Sequence, residues 1–146
     1  MKTVKLLTLA LSLVLLSCSD NDDKEPTQQI VTPQPTASIN GTWHLVNVNG
    51  GFGGTSDDFP VGMITWEFNQ AQQTVTVVNN NTDPQAQDIL PSGTYDYDFV
   101  ANEATPEICN TNIKIGNTNL GCYSIGSQTF VMSQIEADGF EIRLHR

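Results

Sequence analysis

Two histidines, His44 and His145, are the only imidazoles in a chain of 146 residues. A nucleophilic triad needs such a base beside a hydroxyl or thiol, with a carboxylate to orient it; a zinc site needs three or four converging donors. Neither histidine stands in a spacing that builds either. Carboxylates pair twice: Asp96 and Asp98 alternate along one segment, and Asp57-Asp58 are adjacent. Paired acids can hydrolyse glycosides or bind calcium. Between Ser38 and Arg146, however, twelve acids stand against Lys114, Arg143 and Arg146, so pairs are expected without either role. The residues point to a non-catalytic protein with no metal site and no cofactor.

That excess of acid, a balance of −9 over the segment, also excludes a partner class. Nucleic-acid binding needs phosphates neutralised by basic side chains, and this segment repels them. An anionic membrane surface offers it no electrostatic gain. The length suits one domain with a single modest core.

Three cysteines remain as reactive groups: Cys18, Cys109 and Cys122. Lys2 and Lys5 precede an apolar run, Leu6 to Leu16, interrupted by Thr8 and Ser12. A membrane-spanning helix needs ~20 residues, so this run suits the core of a secretory signal. It ends in Leu15-Leu16-Ser17-Cys18, which resembles a bacterial lipobox. The resemblance implies a signal peptide over 1–17, a lipidated Cys18 carrying palmitate-type acyl chains, and a lipoprotein anchored to a membrane. Ser19 to Glu25 is acidic and resembles the signal that sends some Gram-negative lipoproteins to the outer-membrane surface. A plain solvated tether has the same composition, so surface and periplasmic placements both stay open. Pro26 to Ser38, with three prolines, buries too little apolar area to order itself. Residues 18–38 therefore read as lipidated cysteine and tether, and 39–146 as the folded domain.

Within the domain the apolar pattern has period two almost throughout, the mark of half-buried strands. Eight segments qualify: Thr42 to Val48, Met63 to Phe68, Thr74 to Asn79, Thr94 to Val100, Ile113 to Ile115, Leu120 to Ile125, Gln128 to Ile135 and Phe140 to Leu144. In the first, both faces are partly apolar, and pattern alone leaves its orientation open. Gly116-Asn117-Thr118-Asn119, Gly126-Ser127 and Asp138-Gly139 are hairpin turns, since Gly and Asn reach positive φ. The expectation is an all-β antiparallel meander of eight strands closed as a barrel, with an open β-sandwich as the alternative. Three connections, 49–60, 80–91 and 101–110, are long enough to be working loops.

Gly41-Thr42-Trp43 at the opening of the first strand resembles the Gly-x-Trp signature of lipocalins, in particular the lipocalin-like domains of bacterial lipoproteins. Eight strands, a glycine-rich loop after the first and an arginine in the last are similar too. The family's middle signature and its C-terminal helix have no counterpart in this sequence. The resemblance implies that Trp43 closes the barrel and that Arg143 packs across its ring. It also implies a cup for a small hydrophobic or amphipathic ligand, lined by Trp66, Phe68, Tyr95, Tyr97, Phe99, Phe130 and Met132. The same residues would equally fill a small barrel as core, leaving the loops to work as a protein-interaction module. Exposed apolar residues at Phe52 and Phe59 would favour that second reading.

With Cys18 lipidated, Cys109 and Cys122 are left together in an oxidising compartment, and a disulfide is expected between them. A two-residue turn at Asn117-Thr118 would place Cys122 opposite Ile113, so the chain before Asn112 must fold back for the sulfurs to meet.

Overall fold

The computed structural model describes residues 37–134 and 138–146. The expected signal peptide, Cys18 and nearly all of the expected tether lie outside the described residues, as does Ile135. The fold is an antiparallel barrel of eight strands, with a ninth, short strand paired to the overhang of the first. The strands are β1 (Gly41–Gly50), β2 (Thr55–Asp58), β3 (Ile64–Asn69), β4 (Thr74–Asn79), β5 (Gly93–Ala101), β6 (Thr111–Ile115), β7 (Thr118–Ile125), β8 (Thr129–Ser133) and β9 (Phe140–His145). Each barrel strand pairs with its neighbour in sequence, and β9 pairs back onto β1 to close the ring. All eight expected strands are present, in the expected order.

The extra strand, β2, lies in a stretch that reads as loop. Its sequence, Thr-Ser-Asp-Asp, has no apolar alternation because neither of its faces meets the core. It forms because β1 is longer than β3. Gly41 to His44 pair with β3, while Asn47 to Gly50 pair with β2 along the same edge. Phe59 follows, its amide bonded to the Val46 carbonyl at 2.9 Å. Its side chain is buried, so of the two residues whose exposure would favour the interaction reading only Phe52 is exposed.

Two bulges explain the strands whose pattern is ambiguous. In β1 the pairing to β9 slips between Leu45 and Asn47. One extra residue reverses the inside–outside alternation, so Trp43, Leu45 and Val48 all point into the core. In β7, Lys114 faces Asn119 and Asn112 faces Cys122, so two residues oppose Ile113. Leu120 and Tyr123 can then both turn toward the core. Gly121 absorbs the distortion at φ +82°, where a Cβ would stand 2.1 Å from the Ser133 carbonyl oxygen.

Candidate functional site

One end of the barrel is closed by Trp43. Its indole is fully buried, donates Nε1–H to the Ile39 carbonyl at 2.7 Å, and meets Phe130 edge-on at 5.5 Å. The covering cation is Arg146, whose guanidinium carbon lies 3.7 Å from the centre of the Trp43 ring. Arg146 also donates to the Ser38 carbonyl, tying the incoming chain to the same corner. Arg143 does not take this role. It points outward, as expected opposite Ile142 and Leu144, and pairs with Glu141 at 2.6 Å. Residue 143 is level with Asn47, several residues up the wall from Trp43. The cation that can reach the rim has to come after the strand, where residue 146 is.

Of the seven residues expected in the interior, five are there: Trp66, Phe68, Tyr97, Phe130 and Met132 are all buried. They fill the space with one another. Phe68 meets Phe130 at 5.8 Å and Tyr97 at 5.3 Å, each edge-to-face. Trp66, Phe130 and Met132 have no exposed surface, so no water-sized void touches them. Tyr95 and Phe99 lie at the margins instead. Tyr95 folds over Gly93 and donates its hydroxyl to the Pro91 carbonyl at 2.9 Å. Phe99 is 37% exposed and stacks on Tyr123 at 4.8 Å. Within this dry core the Trp66 indole N–H and the Tyr97 hydroxyl have no partner. Burial pushes the Tyr97 hydroxyl above its ordinary pKa, because the phenolate has lost its water.

The two acid pairs lie on different strands, Asp57 and Asp58 on β2 and Asp96 and Asp98 on β5. Asp96 and Asp98 are exposed on the outer face of β5. Asp58 accepts from the Asn47 amide at 2.8 Å, and Asp57 from the Gln87 backbone N–H at 3.0 Å. These bonds hold loops in place. Among the described residues no three His, Cys, Asp or Glu side chains converge to hold a metal.

The long connections are held in different ways. The 80–92 connection is pinned by Asn79, Asn81 and Asp83, whose side chains bond successive backbone groups, and it buries Leu90 against the core. The 102–110 connection is organised by Asn102, which is buried and donates to the carbonyls of Thr105 and Cys109 at 3.1 and 3.0 Å. That fold-back brings Cys109 to Cys122, and the two are disulfide-bonded with Cα atoms 6.0 Å apart. The hairpin turn is at Gly116-Asn117, and the Gly121 bulge then sets Cys122 opposite Asn112. Beside the disulfide, on the outer wall, a groove of about 280 Å³ is lined by uncharged amides including Asn102, Asn112, Asn119 and Gln134.

The β1–β2 turn differs from both. Phe52 is 94% exposed at its tip. The turn itself is held: Gly54 N–H bonds the Gly51 carbonyl at 3.0 Å, and Gly51 N–H bonds the Gly139 carbonyl at 3.1 Å. A Cβ on Gly50 would lie 2.3 Å from the Gly139 oxygen, and one on Gly51 2.9 Å from the Phe140 ring. The glycines let the turn press against its neighbour, and that contact fixes where Phe52 stands. Gly-Gly-Phe-Gly-Gly signals a loop but not its anchorage, because the anchoring carbonyl lies almost ninety residues further along. Compared with known protein families, curated proteins and solved structures, the chain has no match.

Proposed function

We propose that this chain is a membrane-anchored, non-catalytic lipoprotein whose barrel is a solid scaffold and whose exposed turn around Phe52 contacts another protein. The observation that carries the reading is Phe52, a large apolar side chain held 94% exposed on a bonded turn. Leaving such a ring in water forgoes the roughly 1.5–3 kcal/mol that burial returns, so an apolar socket is its natural complement. The turn also lies at the far end of β1 from residues 37–40, about 30 Å away over ten residues. A tether attached through Cys18 would join the domain at the Trp43 end, the end of β1 opposite Phe52. The lipocalin-like resemblance supports the barrel's use as a scaffold of this shape, the lipobox-like Leu15 to Cys18 supports the lipid anchor, and the acidic run Ser19 to Glu25 supports its placement at the outer membrane.

A second reading keeps a small hydrophobic ligand inside the barrel. It is favoured by the two unpartnered donors, Trp66 N–H and Tyr97 O–H, which a polar ligand atom would satisfy. The full interior speaks against it, since a ligand there must displace packed rings.

Two measurements separate the readings. A photoreactive phenylalanine analogue at position 52, in cells making the lipidated protein, should give one discrete protein adduct. The same analogue at Thr42, exposed at the opposite end of β1, should not. A small apolar molecule extracted in stoichiometric amount from the purified protein would overturn the scaffold reading. Cys18→Ala should release the protein from the membrane fraction; unchanged fractionation would remove the anchor from the proposal.

A further inference from the structure

The two histidines, about a hundred residues apart in sequence, are direct cross-strand partners. His44 on β1 is opposite His145 on β9, at the seam that closes the barrel. Trp43, Leu45 and Leu144 point inward, so both imidazoles are carried on the outer wall. Directly opposed residues on antiparallel strands have Cβ atoms roughly 4.5–5.5 Å apart. Two imidazoles at that separation can reach one ion together. The row they sit in is Thr65, His44, His145 and Thr129, so the flanking side chains are small and neutral. Two positions along their strands from this row stand Glu67 on β3 and Arg143 on β9, the latter engaged with Glu141; Arg146 follows His145, with its guanidinium over the Trp43 ring. The buried, unpartnered nitrogen of His44 is Nδ1, which leaves Nε2 as the nitrogen that can take a ligand.

We propose that His44 and His145 form a two-imidazole chelate for a first-row transition-metal ion, with water completing the coordination. Imidazole nitrogen suits Zn²⁺, Ni²⁺ and Cu²⁺ rather than Ca²⁺ or Mg²⁺. With two protein donors the ion is exchangeable. The site exists only when β1 and β9 are paired, so a bound ion clips the closing seam and stabilises the folded state by mass action.

The test uses the full mature chain without a histidine tag, with NiCl₂ or ZnCl₂ as the probe. Titration calorimetry should find one ion per chain, and the thermal midpoint should rise with added metal and return on adding EDTA. His145→Gln is the first variant, because its side chain is exposed and its replacement should leave the metal-free midpoint close to that of the wild type. It should weaken binding roughly 10²-fold, the loss expected when a second linked contact is removed. His44→Gln should do the same, and paramagnetic broadening by Ni²⁺ should centre on residues 44, 65, 129 and 145. Binding that is unchanged in both variants, or no binding at 1 mM metal in the wild-type chain, would overturn the proposal.

Discussion

Replacing Arg146 should destabilise the protein more than replacing Arg143, although Arg143 is the arginine that sits in a strand. Arg146 stacks on a tryptophan that has no exposed surface, and it donates to the Ser38 carbonyl. A cation over a ring contributes ~0.5–1 kcal/mol when exposed and ~2 when desolvated. A hydrogen bond from a charged group contributes ~1.5–3 kcal/mol when sheltered, and less here because the donor is exposed. Removing the guanidinium also uncovers a face of Trp43. Together these place Arg146→Ala at about 2 kcal/mol. Arg143 is half exposed, and its partner Glu141 is one-third exposed. Such pairs contribute ~0–1 kcal/mol, so Arg143→Ala should stay within that. Both tryptophans are buried, so urea unfolding followed by their fluorescence reports loss of the core directly. At this size 2 kcal/mol is a Tm difference of roughly 8–10 °C. Arg146→Lys should recover only part of the loss, because an ammonium cannot stack as a planar guanidinium does. If Arg143→Ala matches or exceeds Arg146→Ala, the assignment of the covering cation is wrong.

Two further outcomes follow from the core and the disulfide. The Tyr97 hydroxyl is buried without a partner and its pKa is raised, so the fold carries no ionisation cost from it below the unfolded value near 10 and loses stability as pH rises from there through the folded value. Tyr97→Phe should therefore be neutral or stabilising at pH 7 and should flatten the alkaline loss of stability, measured by urea unfolding between pH 8 and 11; a large loss at pH 7 would show that the hydroxyl has a partner. Reducing the Cys109–Cys122 bond opens a loop with a separation of 13 residues. The chain-entropy model gives ~3 kcal/mol for a loop of about that length, so a reductant should lower the urea midpoint in the wild type and leave a Cys109→Ser/Cys122→Ser variant unaffected; equal midpoints with and without reductant would refute it.

The order and direction of the eight barrel strands were legible because each has alternating apolar residues and the turns between several carry Gly or Asn. Where one residue is inserted, the alternation fails. Val46 and Gly121 each reverse the parity of a strand halfway along, so β1 shows two apolar faces and β7 none. Nothing local marks such an insertion in β1; the glycine at 121 is the one signal available in β7. Strand β2 was illegible for a different reason. It pairs through backbone alone with the overhang of β1, and a strand that buries no side chain leaves no pattern. The cysteine pair was legible from cysteine count together with the compartment the sequence leads one to expect. Its geometry was not, because it depends on Asn102, a polar side chain that the long-range fold-back buries. The lining of a cup was legible as a set of inward aromatics. Whether the set encloses a space depends on ring-to-ring distances, which composition does not contain. Arg146 was passed over because a residue beyond the last alternating position has no pattern to be read.

The pairing of β1 with β9 has a consequence for how the chain reaches its fold. Every other strand pairing of the barrel joins neighbours in sequence, so seven hairpin-like steps can form as the chain proceeds. The eighth joins segments about a hundred residues apart, and until it forms both β1 and β9 present bare backbone edges. Pairings of such separation are slow to find because the intervening loop must be closed first. Unpaired edges are also templates for another chain. The vulnerable species is therefore a nearly complete meander, open along one line. Strand β2, clamped on the distal half of β1, covers part of the opposite edge and lengthens the template that β9 must meet in register. Substitutions that weaken β9 should then slow closure and raise aggregation during refolding well before they change the equilibrium stability of the closed barrel.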